Sequence, residues 1–369
     1  MPGRANPQRM RAKTRPPMNM KTLVDKLRAG VDLSSGDIAV AVTLLLSDQV
    51  EDEAKAEFLT ALHAKGESAE EIAGFVELLM ERAVDPGLDP AEFAGPMLDV
   101  CGTGGDGLDF FNVSTTIMFV LAAGGATVVK HGNRSVTSRS GSADVIEQLG
   151  IPLEMTPEDL QECLKRHGLG FLFARQYHPA FRALAQMREH LARQNTRTIF
   201  NLLGPLLNPA RPSRQLIGVF APRLTTIFAE VLRRLGREKA WIVHGLAEEA
   251  RGMDDISICG PTTVAELDEG KVTSAVVDTQ WLGMKRCALE ELRGGSASEN
   301  AVTLEGILAG DVKGAKRDMT IANAAGGFVV AGLAGDLKAG MALAHEQLES
   351  GRALEKLRAL QSYGEQAAR

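Results

Sequence analysis

The chain has 369 residues, room for two domains at the usual ~150 residues each. Its 44% hydrophobic and 24% charged residues are ordinary for a globular chain with a sizeable core, and argue against a disordered or fibrous protein. A formal net charge of −6, from 41 basic and 47 acidic residues, disfavours general nucleic-acid binding, which needs a basic face. No apolar run is long enough to span a membrane.

In chain order, residues 1–19 come first. They carry Arg4, Arg9, Arg11, Lys13 and Arg15, no acid, and almost no large apolar residue. They lack the apolar stretch of a secretory signal and read as a disordered basic extension, with Met18 and Met20 as alternative functional starts. A nucleic-acid-binding arm is the sharper alternative.

Residues 20–83 are helical in pattern. Ser68-Ala69-Glu70-Glu71 is a capping box, and Ile72, Phe75, Val76 and Leu79 follow on one helical face. An earlier helix is predicted over residues 35–47, after Leu33. Short amphipathic helices without strands predict a small all-helical domain over residues 20–90, and the long polar helical segment at 178–194 is expected to rejoin it, with helices around 178–212.

The texture changes near Met97. Met97-Leu98-Asp99-Val100-Cys101 is strand-like and runs straight into glycines. Further strands are predicted at residues 126–129, 215–220 and 240–243, with helices between them, such as residues 224–235. Strands alternating with helices predict an α/β domain over residues 96–369, with a mainly parallel central sheet.

Three stretches carry chemistry. Cys101-Gly102-Thr103-Gly104-Gly105-Asp106-Gly107 follows the first strand; its glycines let backbone N–H groups converge on an anion. Asn112, Ser114 and Thr115 then open a helix whose free N–H groups and dipole favour phosphate. The spacing fits neither a P-loop nor a Rossmann fingerprint. Lys130-His131-Gly132-Asn133-Arg134 is expected just beyond the second strand, where open α/β sheets place ligands. Lys130 offers a charge to phosphate, and Asn133 offers a donor and an acceptor. Ser138-Arg139-Ser140-Gly141-Ser142-Ala143-Asp144 suits a phosphate lid. The cysteines Cys101, Cys163, Cys259 and Cys287 are scattered without a C-x-x-C pair, and read as reduced thiols of a reducing, cytoplasmic compartment.

The order Gly-Thr-Gly-Gly-Asp, Asn-x-Ser-Thr, Lys-His-Gly-Asn-Arg and Ser-Gly-Ser-Ala-Asp resembles the anthranilate phosphoribosyltransferases. The resemblance continues through Tyr177-His178-Pro179-Ala180, Asn201-Leu202-Leu203-Gly204-Pro205-Leu206-Leu207-Asn208-Pro209, Gln215-Leu216-Ile217-Gly218-Val219, Gly260-Pro261-Thr262-Thr263 and Arg293-Gly294-Gly295. It covers nearly everything from Met20 onward.

That resemblance implies a small helical domain beside a larger α/β domain, and a homodimer formed through the helical domain. It implies phosphoribosyl pyrophosphate along Gly102, Thr103, Gly104, Gly105 and Asp106, with Asn112, Ser114, Thr115 and Lys130 on its phosphates and Ser142 closing over it. Anthranilate would meet Asn133, Tyr177, His178, Pro179 and Arg188, the arginine pairing with the carboxylate. Magnesium would sit at Asp254 and Asp255 with Ser114, since paired carboxylates suit a hard ion that shares phosphate ligands. No membrane partner is implied.

Three departures from the family pattern stand out. Asp255 replaces the usual Glu and is one methylene shorter. About three extra residues fall within residues 191–196, near the acceptor side. Phe110 stands where a small polar residue is common. The competing readings are a paralogous transferase with another aromatic acceptor, a pyrimidine nucleoside phosphorylase, and a nucleic-acid-binding relative without activity.

Overall fold

The computed structural model describes residues 19–135, 139–194, 196–247 and 251–367. The basic extension therefore lies outside the described residues except for Asn19, and Asn195 within the longer stretch after Arg188 lies outside them too. Asn19 belongs to the fold: its side chain accepts from the Thr22 N–H at 3.0 Å and caps the first helix.

Four helices, Met20–Arg28, Ser35–Leu45, Asp52–Lys65 and Ala69–Met80, open the chain. The second is two residues shorter than its pattern suggests. Ser34 and Ser68 each complete a capping box, with Asp37 and Glu71 as reciprocal partners. Glu71 does more than cap. Fully buried, its carboxylate accepts from the N–H of Leu33 (2.9 Å), the N–H of Ser68 (2.9 Å) and the ammonium of Lys65 (2.7 Å). It thereby ties three helices and the turns between them to one charge.

The α/β part is built on one mixed, mostly parallel sheet. Its strands are β1 (Met97–Gly102), β2 (Thr127–Gly132), β3 (Leu169–Phe173), β4 (Arg214–Gly218), β5 (Lys239–Leu246), β6 (Gly252–Met253), β7 (Thr262–Asp268) and β8 (Lys271–Val277). They lie in the order β3-β2-β1-β4-β5-β7-β8, with β6 paired to β5 off that path. The first five in sequence pair in parallel; β5 to β7 and β7 to β8 are antiparallel. Strands β3, β6, β7 and β8 have no counterpart among the predicted strands.

Alternation along the strands separates the two larger clusters of the core. Leu216, Trp241 and Val243 face a cluster formed with the helices Val113–Ala123, Ala297–Ala309, Ala315–Ala331 and Arg352–Ala367. Ile217, Val219, Ala240 and Ile242 face the other way, into a cluster shared with the four N-terminal helices and the helix Arg223–Arg234. Leu184, Met187, Leu191, Ile199 and Leu203 join that second cluster, so the 178–207 stretch packs between the helical bundle and the sheet. Within the predicted 178–194 helix, Pro179–Leu184 is a 3-10 turn and only Ala185–Arg193 is α-helical. Among the described residues no helix is long and apolar enough to cross a membrane.

Glu71→Ala should lower the unfolding free energy by about 3 kcal/mol, because it leaves two backbone N–H groups without their acceptor and removes one of the two carboxylates paired with the Lys65 ammonium. Urea denaturation followed by circular dichroism measures it; an unchanged midpoint would show that the carboxylate is not what joins these helices.

Candidate active site

The site lies at the C-terminal ends of β1, β4 and β5, where strand register and small residues leave room for an acidic loop. Gly102 and Gly218 are paired across β1 and β4. A methyl group on Gly218 would stand 1.5 Å from the carbonyl oxygen of Asp254, and one on Gly102 would stand 2.2 Å from its Oδ2. On β5, a methyl on Gly245 would meet the carbonyl oxygen of Asp255 at 2.6 Å. The Asp254-Asp255 segment therefore rests directly on the sheet edge. From behind, buried Asn323 on the helix Ala315–Ala331 accepts from the Ile256 N–H (2.8 Å) and donates to its carbonyl (2.9 Å).

The glycine loop after β1 turns through left-handed backbone at Gly104 (φ 65°), Gly105 (φ 78°) and Gly107 (φ 73°), a region closed to most other residues. It is fixed at several points. Thr103 N–H donates to the Gly218 carbonyl (2.9 Å), and Thr103 Oγ1 accepts from the Phe220 N–H (3.1 Å). The Gly104 N–H donates to Asp254 Oδ2 (2.7 Å), and Arg197 donates to the Gly105 carbonyl (2.7 Å) while stacking 4.1 Å over the Phe220 ring. The Asp106 carboxylate accepts from the Leu108 N–H at 3.1 Å.

Opposite the acidic loop, the helix Val113–Ala123 begins without a side-chain cap. The Asn112 side chain is engaged elsewhere: its Oδ1 accepts from Asn300 (2.9 Å), and its Nδ2 donates weakly to the Ser140 carbonyl (3.4 Å). The early N–H groups of this helix thus open on a cavity lined by Gly104, Gly105, Asp106, Asn112, Ser114, Arg139, Ser140, Asp254, Asp255 and Asn300. One wall offers N–H dipoles and an arginine, the other offers carboxylates. That arrangement suits a polyphosphate bridged to a cation.

Two expected phosphate ligands stand behind this wall. Lys130, expected past the end of its strand, lies inside β2, which pairs with β3 through Gly132↔Phe173. Its ammonium is buried and donates to the Val100 carbonyl (2.7 Å) and to Ser114 Oγ (3.2 Å). Thr115 is buried as well, and its hydroxyl has no hydrogen-bond partner among the described residues; what it can offer a phosphate is its backbone N–H. Burial holds the Lys130 ammonium below its ordinary pKa, against the pull of Asp99, Cys101 and Asp255.

Burial, reinforced by Asp106, pushes the Asp254 carboxyl up to about 7. Burial also holds Asp255 well above the usual range; Asp254 and Asp106 add to this, and Lys130 opposes it. Such a cluster is short of positive charge. Among the described residues no group of three or more His, Cys, Asp or Glu could hold a metal ion unaided. The donor set therefore fits a hard divalent cation completing its shell with water and ligand phosphates, as magnesium does.

On the acceptor side, Asn133 is exposed, its Oδ1 accepting from the next N–H (2.8 Å), and Ser142 Oγ reaches the Asn133 carbonyl at 3.5 Å. Pro179 is exposed. The Tyr177 side chain, expected at the acceptor, is packed instead in a small core with Met97, Val129, Leu160, Leu164 and Leu172. This burial pushes its phenol up to about 12. The helix Pro157–His167 and strands β2 and β3 close around the ring, so Tyr177 presents only backbone. His178 donates from Nε2 to the Leu207 carbonyl (2.8 Å). A row of rings follows: His131 edge-on to His178 (5.4 Å), His178 stacked on Phe181 (5.2 Å), Phe181 edge-on to Phe200 (5.7 Å). Arg188 ends the row, 4.8 Å over Phe200, with no carboxylate at ion-pair distance among the described residues. Burial lowers its pKa.

Arg197 and Asn300 were not among the residues assigned to the site, whereas Arg139 and Ser140, expected only as part of a phosphate lid, line the cavity. Asn300 has no local signature: it lies one residue past the Ser296–Glu299 capping box, accepts from the Gly295 N–H (2.8 Å) and holds Asn112 across 188 residues of sequence. Phe110, one of the family departures, lines the cavity and forms an isolated bridge with Arg293.

Comparison with known proteins agrees with this two-part fold. Residues 94–354 match the α/β domain of a glycosyl transferase family, and residues 21–83 match that family's helical bundle domain. The chain is 44% identical over 338 residues to an anthranilate phosphoribosyltransferase of Desulfatibacillum aliphaticivorans, covering 92% of this chain and 96% of the relative. It is 41% identical over 340 residues to one of Haloarcula marismortui, covering 92% and 98%. Among solved structures, the Thermus thermophilus enzyme of that name superposes with a TM-score of 0.82 at 38% identity, over 93% of this chain and 99% of the other. The Saccharomyces cerevisiae enzyme in complex with PRPP and Mg superposes with a TM-score of 0.80 at 26% identity, over 94% and 98%.

An acid whose folded pKa is raised to about 7 keeps its proton below that pH, and a cation must displace it. Magnesium affinity should therefore fall about tenfold between pH 8 and pH 6. Isothermal titration at the two pH values reads this, and Asp254→Asn should flatten the dependence. Equal affinity at both pH values in the unsubstituted protein would contradict the assigned carboxyl.

Proposed function

The chain belongs to the anthranilate phosphoribosyltransferases of this glycosyl transferase family, and we propose that it transfers the 5-phosphoribosyl group of phosphoribosyl pyrophosphate to anthranilate, releasing pyrophosphate, in tryptophan biosynthesis. The observation that carries this reading is the facing of an uncapped helix N-terminus and a glycine loop, on one wall, by half-buried Asp254 and Asp255 on the other.

In this reading the pyrophosphate group lies along Gly102 to Asp106 and on the N–H groups at Ser114 and Thr115, with Asn112 holding the helix start in place. Asp254, Asp255 and Ser114 would hold magnesium, which supplies charge to offset the departing pyrophosphate. Lys130 acts from below, orienting Ser114 through its hydrogen bond and adding a buried positive charge. Ser142, at the start of its own helix, is placed to close over the donor. No side chain is assigned as a base. An aromatic amine is unprotonated at neutral pH, so the protein's contribution is to hold it against the ribose carbon.

Arg188 is the ligand for the acceptor carboxylate: a half-buried guanidinium without an anionic partner among the described residues, supported on Phe200. Asn133 and the His178-Pro179 backbone would border the same space, with the row of rings from His131 to Phe200 as its apolar side. Tyr177 supports that border from within the core.

The decisive experiment is the loss of anthranilate fluorescence on adding phosphoribosyl pyrophosphate and magnesium, abolished by a chelator. Absence of turnover while the donor still binds would replace anthranilate by another aromatic acceptor. In the active protein, Arg188→Ala should raise KM for anthranilate by roughly tenfold or more, the value of a charge-assisted hydrogen bond, and leave the donor KM nearly unchanged. Equal effects on both would remove the arginine from the acceptor site.

The same reading includes a homodimer formed through the helical domain. Sedimentation of the 39.5 kDa chain at twice its mass supports this, and a monomer at working concentration would exclude it.

A further inference from the structure

Two of the four cysteines lie against each other. Cys259 Sγ and Cys287 Sγ are 3.4 Å apart, across 28 positions of sequence. Cys259 is buried in the loop that follows Asp254 and Asp255, and Cys287 is half-buried in the segment leading to Leu289–Leu292. The other two have oxygen neighbours instead: Cys101 faces the Asp99 carboxylate at 3.8 Å, and Cys163 faces the Leu169 carbonyl at 3.3 Å.

The backbone around the pair is already fixed. Ser257 Oγ accepts from the N–H groups of Cys259 (2.9 Å) and Gly260 (3.1 Å), and donates to the Leu246 carbonyl (2.6 Å). Arg286, next to Cys287, donates to the Cys259 carbonyl (3.3 Å) and pairs with Asp278 (2.7 Å). Thr279 Oγ1 donates to the Ser257 carbonyl at 3.2 Å. The two loops are thus held together before any sulfur–sulfur bond exists. Closing the remaining gap to a disulfide, about 2 Å between sulfurs, requires small side-chain movements rather than rearrangement of the chain.

We propose that Cys259 and Cys287 form a dithiol that a peroxide oxidises to an intrachain disulfide, stapling the loop that carries Asp254 and Asp255 to the segment behind Asp109 and Asn112. The link to that segment runs through Leu292, whose carbonyl accepts from the Phe111 N–H (3.3 Å), and Gly294, whose N–H donates to the Asp109 carbonyl (2.8 Å). Cys287, the more accessible sulfur, attacks the peroxide as its thiolate. The O–O bond breaks, and with the released proton the first water leaves, giving a sulfenic acid. Cys259 Sγ then displaces the sulfenic oxygen, its proton leaving with that oxygen as the second water. Two thiols and one hydrogen peroxide yield one disulfide and two waters. The Cys259 contact and burial both push the Cys287 thiol up, so the reaction is slow at neutral pH and is best driven with excess peroxide. It does not depend on the transferase reading, and its readout is mass rather than turnover.

The test is treatment of the full, native chain with hydrogen peroxide, then alkylation under denaturing conditions and mass spectrometry. The intact mass should fall by two hydrogen atoms before alkylation, and two thiols, Cys101 and Cys163, should remain alkylatable. Peptide mapping should recover one cross-link, Cys259 to Cys287, reversed by dithiothreitol. The oxidised protein should unfold a few degrees higher, since the bond closes a loop of 28 residues. Cys287→Ser should abolish both the cross-link and the thermal shift. Added oxygen on separate cysteines, a cross-link involving Cys101 or Cys163, or four thiols still alkylatable after treatment would each overturn the proposal.

Discussion

Everything at the site depends on how closely the acidic loop approaches the sheet. Gly102 and Gly218 are register partners at the ends of β1 and β4, and the Asp254 backbone occupies space that any side chain on Gly218 would need. This contact lets Asp254 accept from the Gly104 N–H, which shapes the phosphate loop. Through Thr103 it is coupled to the end of β4 on the other side. A larger residue at either glycine would lift the carboxylates away from the helix start they face. The sheet supplies the platform, but the two glycines decide how far apart the cavity's walls stand.

That contact places several charges where water is scarce. Burial raises the carboxyl pKa values of Asp99, Asp254 and Asp255, and Lys130 loses part of its affinity for its proton for the same reason. Buried charges of this kind are tolerated when something compensates them. Lys130 compensates in part, through its approach to Asp99 and Asp255; the helix dipole faces the cavity, and a divalent cation would complete the balance. The resulting picture is of a site whose electrostatics are incomplete without its ligands. The protein is organised around a charge pattern that a metal-bound polyphosphate satisfies.

Much of this was legible in the sequence, for identifiable reasons. The capping box at Ser68 is local chemistry, and it marks the helix start correctly. The first glycine motif directly follows a strand, and the structure brings Gly104, Asn112 and Ser114 to one cavity. What escaped was non-local. Strand β3 is five residues long and buried throughout, so it has no alternation to reveal it. Strand β8 is a mostly exposed edge, without the apolar run of an interior strand. Lys130 reads as a loop residue because it is charged; it lies within a strand because β3 pairs alongside it and the Val100 carbonyl and Ser114 hydroxyl satisfy its ammonium. Asn300 and Asn323 act across 188 and 67 positions of sequence, and no spacing rule reaches that far.

The acceptor side shows the same division between chemistry and support. Of the residues expected to meet the aromatic substrate, Arg188 carries a charge with no carboxylate at ion-pair distance among the described residues, whereas Tyr177 spends its ring on the core. The row from His131 through His178 and Phe181 to Phe200 links the two. It begins on β2, one residue after Lys130, and ends under Arg188. The strand that carries Lys130 therefore also sets, through stacked rings, the position of the Arg188 cation. One continuous packing path thus runs from β2, beside Lys130, to Arg188.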